Sequence, residues 1–123
     1  MELGSILSWE KSFTVDDVLR FGELTGDQGS HHVNPDKEGR LMVQGLLTAS
    51  LPTKIGGDHH YITRTCEFEF FRPVFTGDTI RCEVKIMEYT PVEGKIMVAS
   101  ECTCTNQHDK VVLTGTFQGI ILA

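Results

Sequence analysis

The sequence predicts one α+β domain in which an antiparallel sheet curls around a single buried helix. Three observations carry this. The 123 residues suit one hydrophobic core rather than two. One stretch, Leu41 to Gly57, reads as a helix with almost no polar face. The chain beyond it alternates apolar and polar residues with the period of strands.

Taken in order, Ser5 to Phe13 reads as a short first strand. Thr14 with Asp17 three residues later makes a weakened capping box, and Val15, Val18 and Leu19 follow at helical spacing. A short helix is expected to about Leu24, ending at Gly26. Thr25 to Arg40, rich in Gly, Asp, Asn and Pro, reads as a loop. In the next helix Leu46, Leu47, Ala49, Ser50, Leu51 and Ile55 leave no polar stripe, so it belongs in the interior. Pro52 lacks a backbone donor and is expected to bend this helix or break its last turn, and Gly56-Gly57 ends it. Four strands follow: Tyr61–Arg72, Ile80–Glu88, Ile96–Thr105 and Val111–Ile121. Turns at Pro73–Asp78, Pro91–Gly94 and Asn106–Asp109 link them as an antiparallel meander. Four such strands curled around one apolar helix make the hot-dog arrangement. A single layer of this kind leaves sheet edge and apolar surface uncovered, which favours a homodimer.

Composition narrows the function. Apolar residues make up 40% and charged residues 23%, as in soluble globular proteins. The net charge is −6 with no block of like charges, which excludes a nucleic-acid surface but lets a few Lys or Arg residues meet a phosphate. The charge-free run Leu41 to Thr53 falls well short of the ~20 residues that span a bilayer. Glu2 and Glu10 flank a very short apolar stretch, unlike a signal peptide, so the expected location is cytoplasmic. Cys66, Cys82, Cys102 and Cys104 each fall in a strand-like run and are expected to be reduced and buried.

Candidate chemistry lies in the loop Thr25-Gly26-Asp27-Gln28-Gly29-Ser30-His31-His32-Val33-Asn34-Pro35-Asp36. A carboxylate and an imidazole on one loop beside a buried helix, here Asp27 and His32, suit an acid–base pair that takes and delivers a proton. The same spacing also suits a simple polar turn. His31 is a rival to His32. Asp58-His59-His60 reads as a solvated turn rather than a metal cluster, because adjacent side chains diverge in extended chain. Phe68, Phe70 and Phe75 read as core or pocket wall. Lys54, Arg64 and Arg72 are candidate phosphate contacts among which the sequence does not choose.

Three segments together resemble the MaoC-like dehydratase family, and within it the single-domain (R)-specific enoyl-CoA hydratases. They are Asp27 to His32, Val43-Gln44-Gly45-Leu46-Leu47-Thr48-Ala49-Ser50-Leu51, and Phe70-Phe71-Arg72-Pro73-Val74-Phe75-Thr76-Gly77-Asp78-Thr79. The resemblance implies that trans-2-enoyl-CoA and (R)-3-hydroxyacyl-CoA are interconverted, with Asp27 and His32 catalytic. It implies that the Gly45 N–H holds the thioester oxygen, which gains charge in the transition state. It also implies that the Thr53 hydroxyl helps orient the catalytic loop. The residues themselves equally suit a Gly45 that only permits tight packing and a Thr53 that only bonds its own helix. No metal or redox cofactor is implied, and CoA or a carrier protein belongs to the substrate. The chain departs from the family in three places. Gly29-Ser30 replaces the usual Asn-Pro, the segment from His32 to Gly45 is several residues shorter, and Gln44 stands where His commonly precedes the glycine. Two alternatives remain: an acyl-CoA thioesterase, which needs a carboxylate absent from Leu41 to Thr53, and a non-catalytic acyl-CoA-binding protein on the same fold.

Overall fold

A computed structural model describes residues 1–122. Strand β1 (Ile6–Ser12) leads into α1 (Val15–Thr25). The expected capping box forms in full: the Asp17 N–H donates to Thr14 Oγ1 at 3.1 Å and the Thr14 N–H to Asp17 Oδ2 at 2.9 Å. Gly26, with φ of 82°, ends α1 in the left-handed region that glycine adopts without strain. The segment read as a loop holds one short helix, α2 (Ser30–Val33), which carries both His31 and His32.

The apolar stretch forms two helices, α3 (Gly45–Ala49) and α4 (Leu51–Asp58), joined at Ser50. Pro52 explains the break, since it has no N–H for the carbonyl one turn back. Around the joint the Ser50 and Thr53 N–H groups bond three residues back, to Leu47 and Ser50, in tight turns. The helix is not buried all round, as its composition predicted. Thr48, Ala49, Leu51, Pro52 and Ile55 turn inward, whereas Leu46 is 66% exposed.

Strands β2 (Tyr61–Phe70), β3 (Thr79–Val92), β4 (Lys95–Thr105) and β5 (Val111–Leu122) complete one antiparallel sheet in the order β1-β3-β4-β5-β2. This corrects the expected meander, which holds only for β3 to β5. Strand β2 pairs with β5, Phe70 opposite Leu113, and lies at the far edge from β1. Strand β3 also runs further than expected, through Pro91, to a two-residue turn at Glu93-Gly94 where Gly94 has φ of 78°. Inward residues alternate as predicted: Ile80, Cys82, Val84 and Ile86 on β3, and Val98, Ser100, Cys102 and Cys104 on β4. They meet Ala49, Leu51 and Ile55 from the helices in one core. Burying a side chain the size of Leu51 is worth about 1.5–3 kcal/mol, so these contacts outweigh the weak helix propensity of a segment containing Pro52 and two glycines. Three cysteines are buried as expected, but Cys66 is exposed on the β2 edge.

The connection from β2 to β3 positions the site. It runs beside the segment preceding α3: Val43 N–H donates to the Val74 carbonyl at 2.7 Å and Thr76 N–H to the Leu41 carbonyl at 2.9 Å. Residues 41–43 are thereby pinned as a rigid shelf between the sheet connection and α2.

Candidate active site

His32 is the best-defined group of the loop. Its side chain is 7% exposed, and its Nδ1 lies 2.7 Å from the Met42 carbonyl oxygen. That carbonyl can only accept, so Nδ1 carries a proton, and in the tautomer this selects Nε2 is the acceptor. The Met42 N–H donates in turn to the His31 carbonyl at 3.0 Å, which ties α2 to the shelf on both sides. Nε2 of His32 faces Asp27 Oδ2 at 3.7 Å, while the Asp27 side chain is 53% exposed. Two acceptors at this separation do not bond each other; they suit one water that donates to both.

Asp27 is set by the end of α1. Its N–H donates to Thr25 Oγ1 at 3.2 Å, and its carbonyl rests on Gly22, where a Cβ would approach to 3.1 Å. Gly29 has a comparable reason: a Cβ there would meet His31 Cε1 at 2.9 Å. The His31 ring folds back to 3.9 Å from the His32 ring and is exposed. It makes no ion pair with Asp27, so the structure distinguishes the two histidines.

His32 and Gly45 line one cavity of about 340 Å³, together with Thr48, Phe70, Arg72 and Val112. Its size falls in the range of small-molecule sites. Gly45 opens α3, so its N–H lies outside the helical ladder. The Phe70 ring covers it closely enough that a Cβ would come within 3.0 Å of Cε1. Gln44, just before, is buried, and its Nε2 donates to the Val18 carbonyl at 2.9 Å, joining α1 to the start of α3.

Thr53 is not brought to this group. It is exposed, its hydroxyl donates back to the Ser50 carbonyl, and it lines a separate cavity of about 160 Å³ with Pro52, Ile55 and Tyr61. The group that bonds the His32 ring is the Met42 carbonyl, not Thr53. A backbone carbonyl has no side-chain signal by which sequence could have found it. Thr48, buried in the cavity wall, was also missed, because one hydroxyl in an apolar run reads as a self-bonded helix residue.

The remaining candidates separate clearly. Asp58, His59 and His60 form the end of α4 and a turn, with His60 at φ of 58°, and no metal-holding group of three or more His, Cys, Asp or Glu exists among the described residues. The Cys104 thiol is pushed up by the hydrogen bonds its S–H donates to Cys102 and Cys82 and by burial, which keeps it protonated. No helix among the described residues is long and apolar enough to cross a membrane.

An antiparallel sheet curled around a central helix, with His32 facing Asp27 and sharing one cavity with the start of α3, is the hot-dog arrangement. Residues 39–115 match the family described as FAS1-like, dehydratase domain region. The chain is 31% identical to a 3-hydroxybutyryl-CoA dehydratase of Methylorubrum extorquens, over 94% of this chain and 77% of that protein. Its fold matches the (R)-hydratase of A. caviae involved in PHA biosynthesis with a TM-score of 0.84 and 25% identity, covering 100% of this chain and 98% of that one. A MaoC-like dehydratase from Rhodospirillum rubrum matches with a TM-score of 0.78 and 16% identity, over 99% of this chain and 93% of that one. The chain belongs to the MaoC-like dehydratase family, and it is a lyase of the hydratase/dehydratase class.

Proposed function

We propose that this protein interconverts trans-2-enoyl and (R)-3-hydroxyacyl thioesters, with Asp27 and His32 holding the reacting water and the Gly45 N–H holding the thioester oxygen. The observation that carries this is the Met42 carbonyl bond, which leaves His32 Nε2 as an acceptor facing Asp27 across 3.7 Å. In the hydration direction the water donates one hydrogen to each acceptor and attacks the β-carbon with its oxygen. One of the pair takes the released proton and delivers a proton to the α-carbon. Negative charge developing on the thioester oxygen is met by the Gly45 N–H. The reaction written this way needs neither metal nor redox cofactor; CoA or a carrier protein enters with the substrate.

Thioester hydrolysis is the competing reaction on this fold. Hydrolysis needs a carboxylate on or near the central helix, and Leu41 to Thr53 contains none. The assay is loss of enoyl-thioester absorbance from crotonyl-CoA, followed in parallel with release of free thiol. Hydration is supported by absorbance loss without thiol release, and thiol release at the same rate overturns it.

The assembly proposed is a homodimer. Strand β2 pairs on one side only and leaves Ile62, Phe70 and Phe71 exposed near a ten-residue edge. Such an edge is an association template unless another chain covers it. Light scattering at micromolar concentration is expected to give twice the 13.7 kDa chain mass, and a monomer mass contradicts it.

A further inference from the structure

A thioester whose carbonyl lies at Gly45 must carry its carrier arm out across the cavity rim. CoA and carrier proteins both place phosphate at the far end of that arm. The chain carries a net charge of −6 and repels such a group at a distance, so a cation at the rim matters more than its single charge would in a basic protein. The cavity lining contains one permanent charge, Arg72, and no acidic residue.

The structure separates the three cations that the sequence offered. Lys54 Nζ is held by Asp58 Oδ2 at 2.7 Å and lies over the Trp9 ring. Arg64 sits beside the β2 bulge between Thr63 and Thr65 and does not line this cavity. Arg72 is exposed, lines the cavity, and has no carboxylate partner among the described residues. Its Nη1 donates to the Val111 carbonyl at 2.6 Å, which fixes the guanidinium without neutralising it. Nε and Nη2 have no protein partner among the described residues, and they provide the two-donor fork that suits phosphate. Position along the chain agrees. Phe70 covers Gly45, and Arg72 stands two residues beyond it, at the bend where the chain leaves β2.

We propose that Arg72 binds the phosphate of the substrate's phosphopantetheine arm. The assignment rests on the hydratase reading for the direction in which the arm leaves Gly45. Its test is therefore a binding measurement that does not need turnover. Calorimetry with butyryl-CoA, butyryl-phosphopantetheine and phosphate-free butyryl-pantetheine compares the wild type with Arg72→Gln and Arg72→Lys. These saturated thioesters cannot be hydrated.

Arg72→Gln is expected to weaken both phosphorylated ligands about tenfold or more relative to butyryl-pantetheine, the loss of a charge-assisted hydrogen bond. Arg72→Lys is expected to recover part of that ratio through its charge. Because the result is a ratio, any general damage to the fold cancels. A loss confined to butyryl-CoA overturns the assignment in favour of a nucleotide phosphate. Equal losses for all three ligands, no loss, or no binding by the wild type also overturns it. A hydration assay that fails while the ratio falls sinks the reaction and leaves Arg72 as a phosphate contact.

Discussion

Gly45 offers a substitution that separates a backbone hydrogen bond from the space around it. Gly45 is the first residue of α3, where proline is tolerated because its missing N–H has no helical partner. Gln44 already has φ of −58° and ψ of 138°, the extended conformation that a residue before proline adopts. Gly45→Ala and Gly45→Pro both place a Cβ about 3.0 Å from Phe70 Cε1. Phe70 is 53% exposed, so its ring can yield the few tenths of an ångström required. Both variants are expected to keep their melting temperature within a few degrees, with alanine's helix propensity offsetting up to ~1 kcal/mol of strain. Only proline removes the N–H. If that donor holds the thioester oxygen, kcat for crotonyl-CoA hydration falls a further ~10²–10³-fold between Gly45→Ala and Gly45→Pro. Equal kcat in two folded variants refutes the assignment.

Other expectations follow from single contacts. In His32→Asn the amide nitrogen stands where Nδ1 stood and keeps the Met42 bond, so circular dichroism should report a near-native melting temperature while kcat falls ~10²–10⁴-fold. His32→Leu leaves the Met42 carbonyl unpaired and should cost about 1–3 kcal/mol as well. The Thr14 backbone bond holds the Asp17 carboxyl below its usual 3.8, so its contribution is present above that value and is lost as the pH falls through the folded pKa. Asp17→Asn, which removes the carboxylate charge, should cost about 0.3–1 kcal/mol at neutral pH, and its thermal melts should converge on the wild type in acid. Burial pushes the Tyr61 phenol up to about 12, so its contribution is complete below the unfolded value of 10 and is lost as the pH rises towards 12. Phenolate absorbance should show one tyrosine titrating late, and Tyr61→Phe should remove that step.

What the sequence revealed depends on how local the cause is. The α1 capping box, Gly26 and the alternation of β3 and β4 are written in adjacent residues, and each appears where expected. The place of β2 was not legible. Cys66, Phe68 and Phe70 mark a half-buried strand, but its pairing with β5 joins residues some fifty apart in the chain, which no local pattern marks. Pro52 announced a break in the central helix without fixing it at Ser50 or showing that Leu46 faces outward. In the site, Asp27, His32 and Gly45 were found from their resemblance; Asp27 faces His32, and His32 shares one cavity with Gly45. Thr53 was placed by the same resemblance and lies elsewhere, because helix register after the Ser50 joint turns its hydroxyl onto its own backbone.

The account stands on Asp27 and His32 holding one water between them. Steady-state hydration of crotonyl-CoA by Asp27→Asn, His32→Asn and the double variant, with His31→Gln as comparison, measures this directly. Residues that act as a unit are not additive, so the double variant should be little worse than either single one, and His31→Gln should retain most activity. Losses that multiply in the double variant, or full activity in Asp27→Asn, would contradict the shared water.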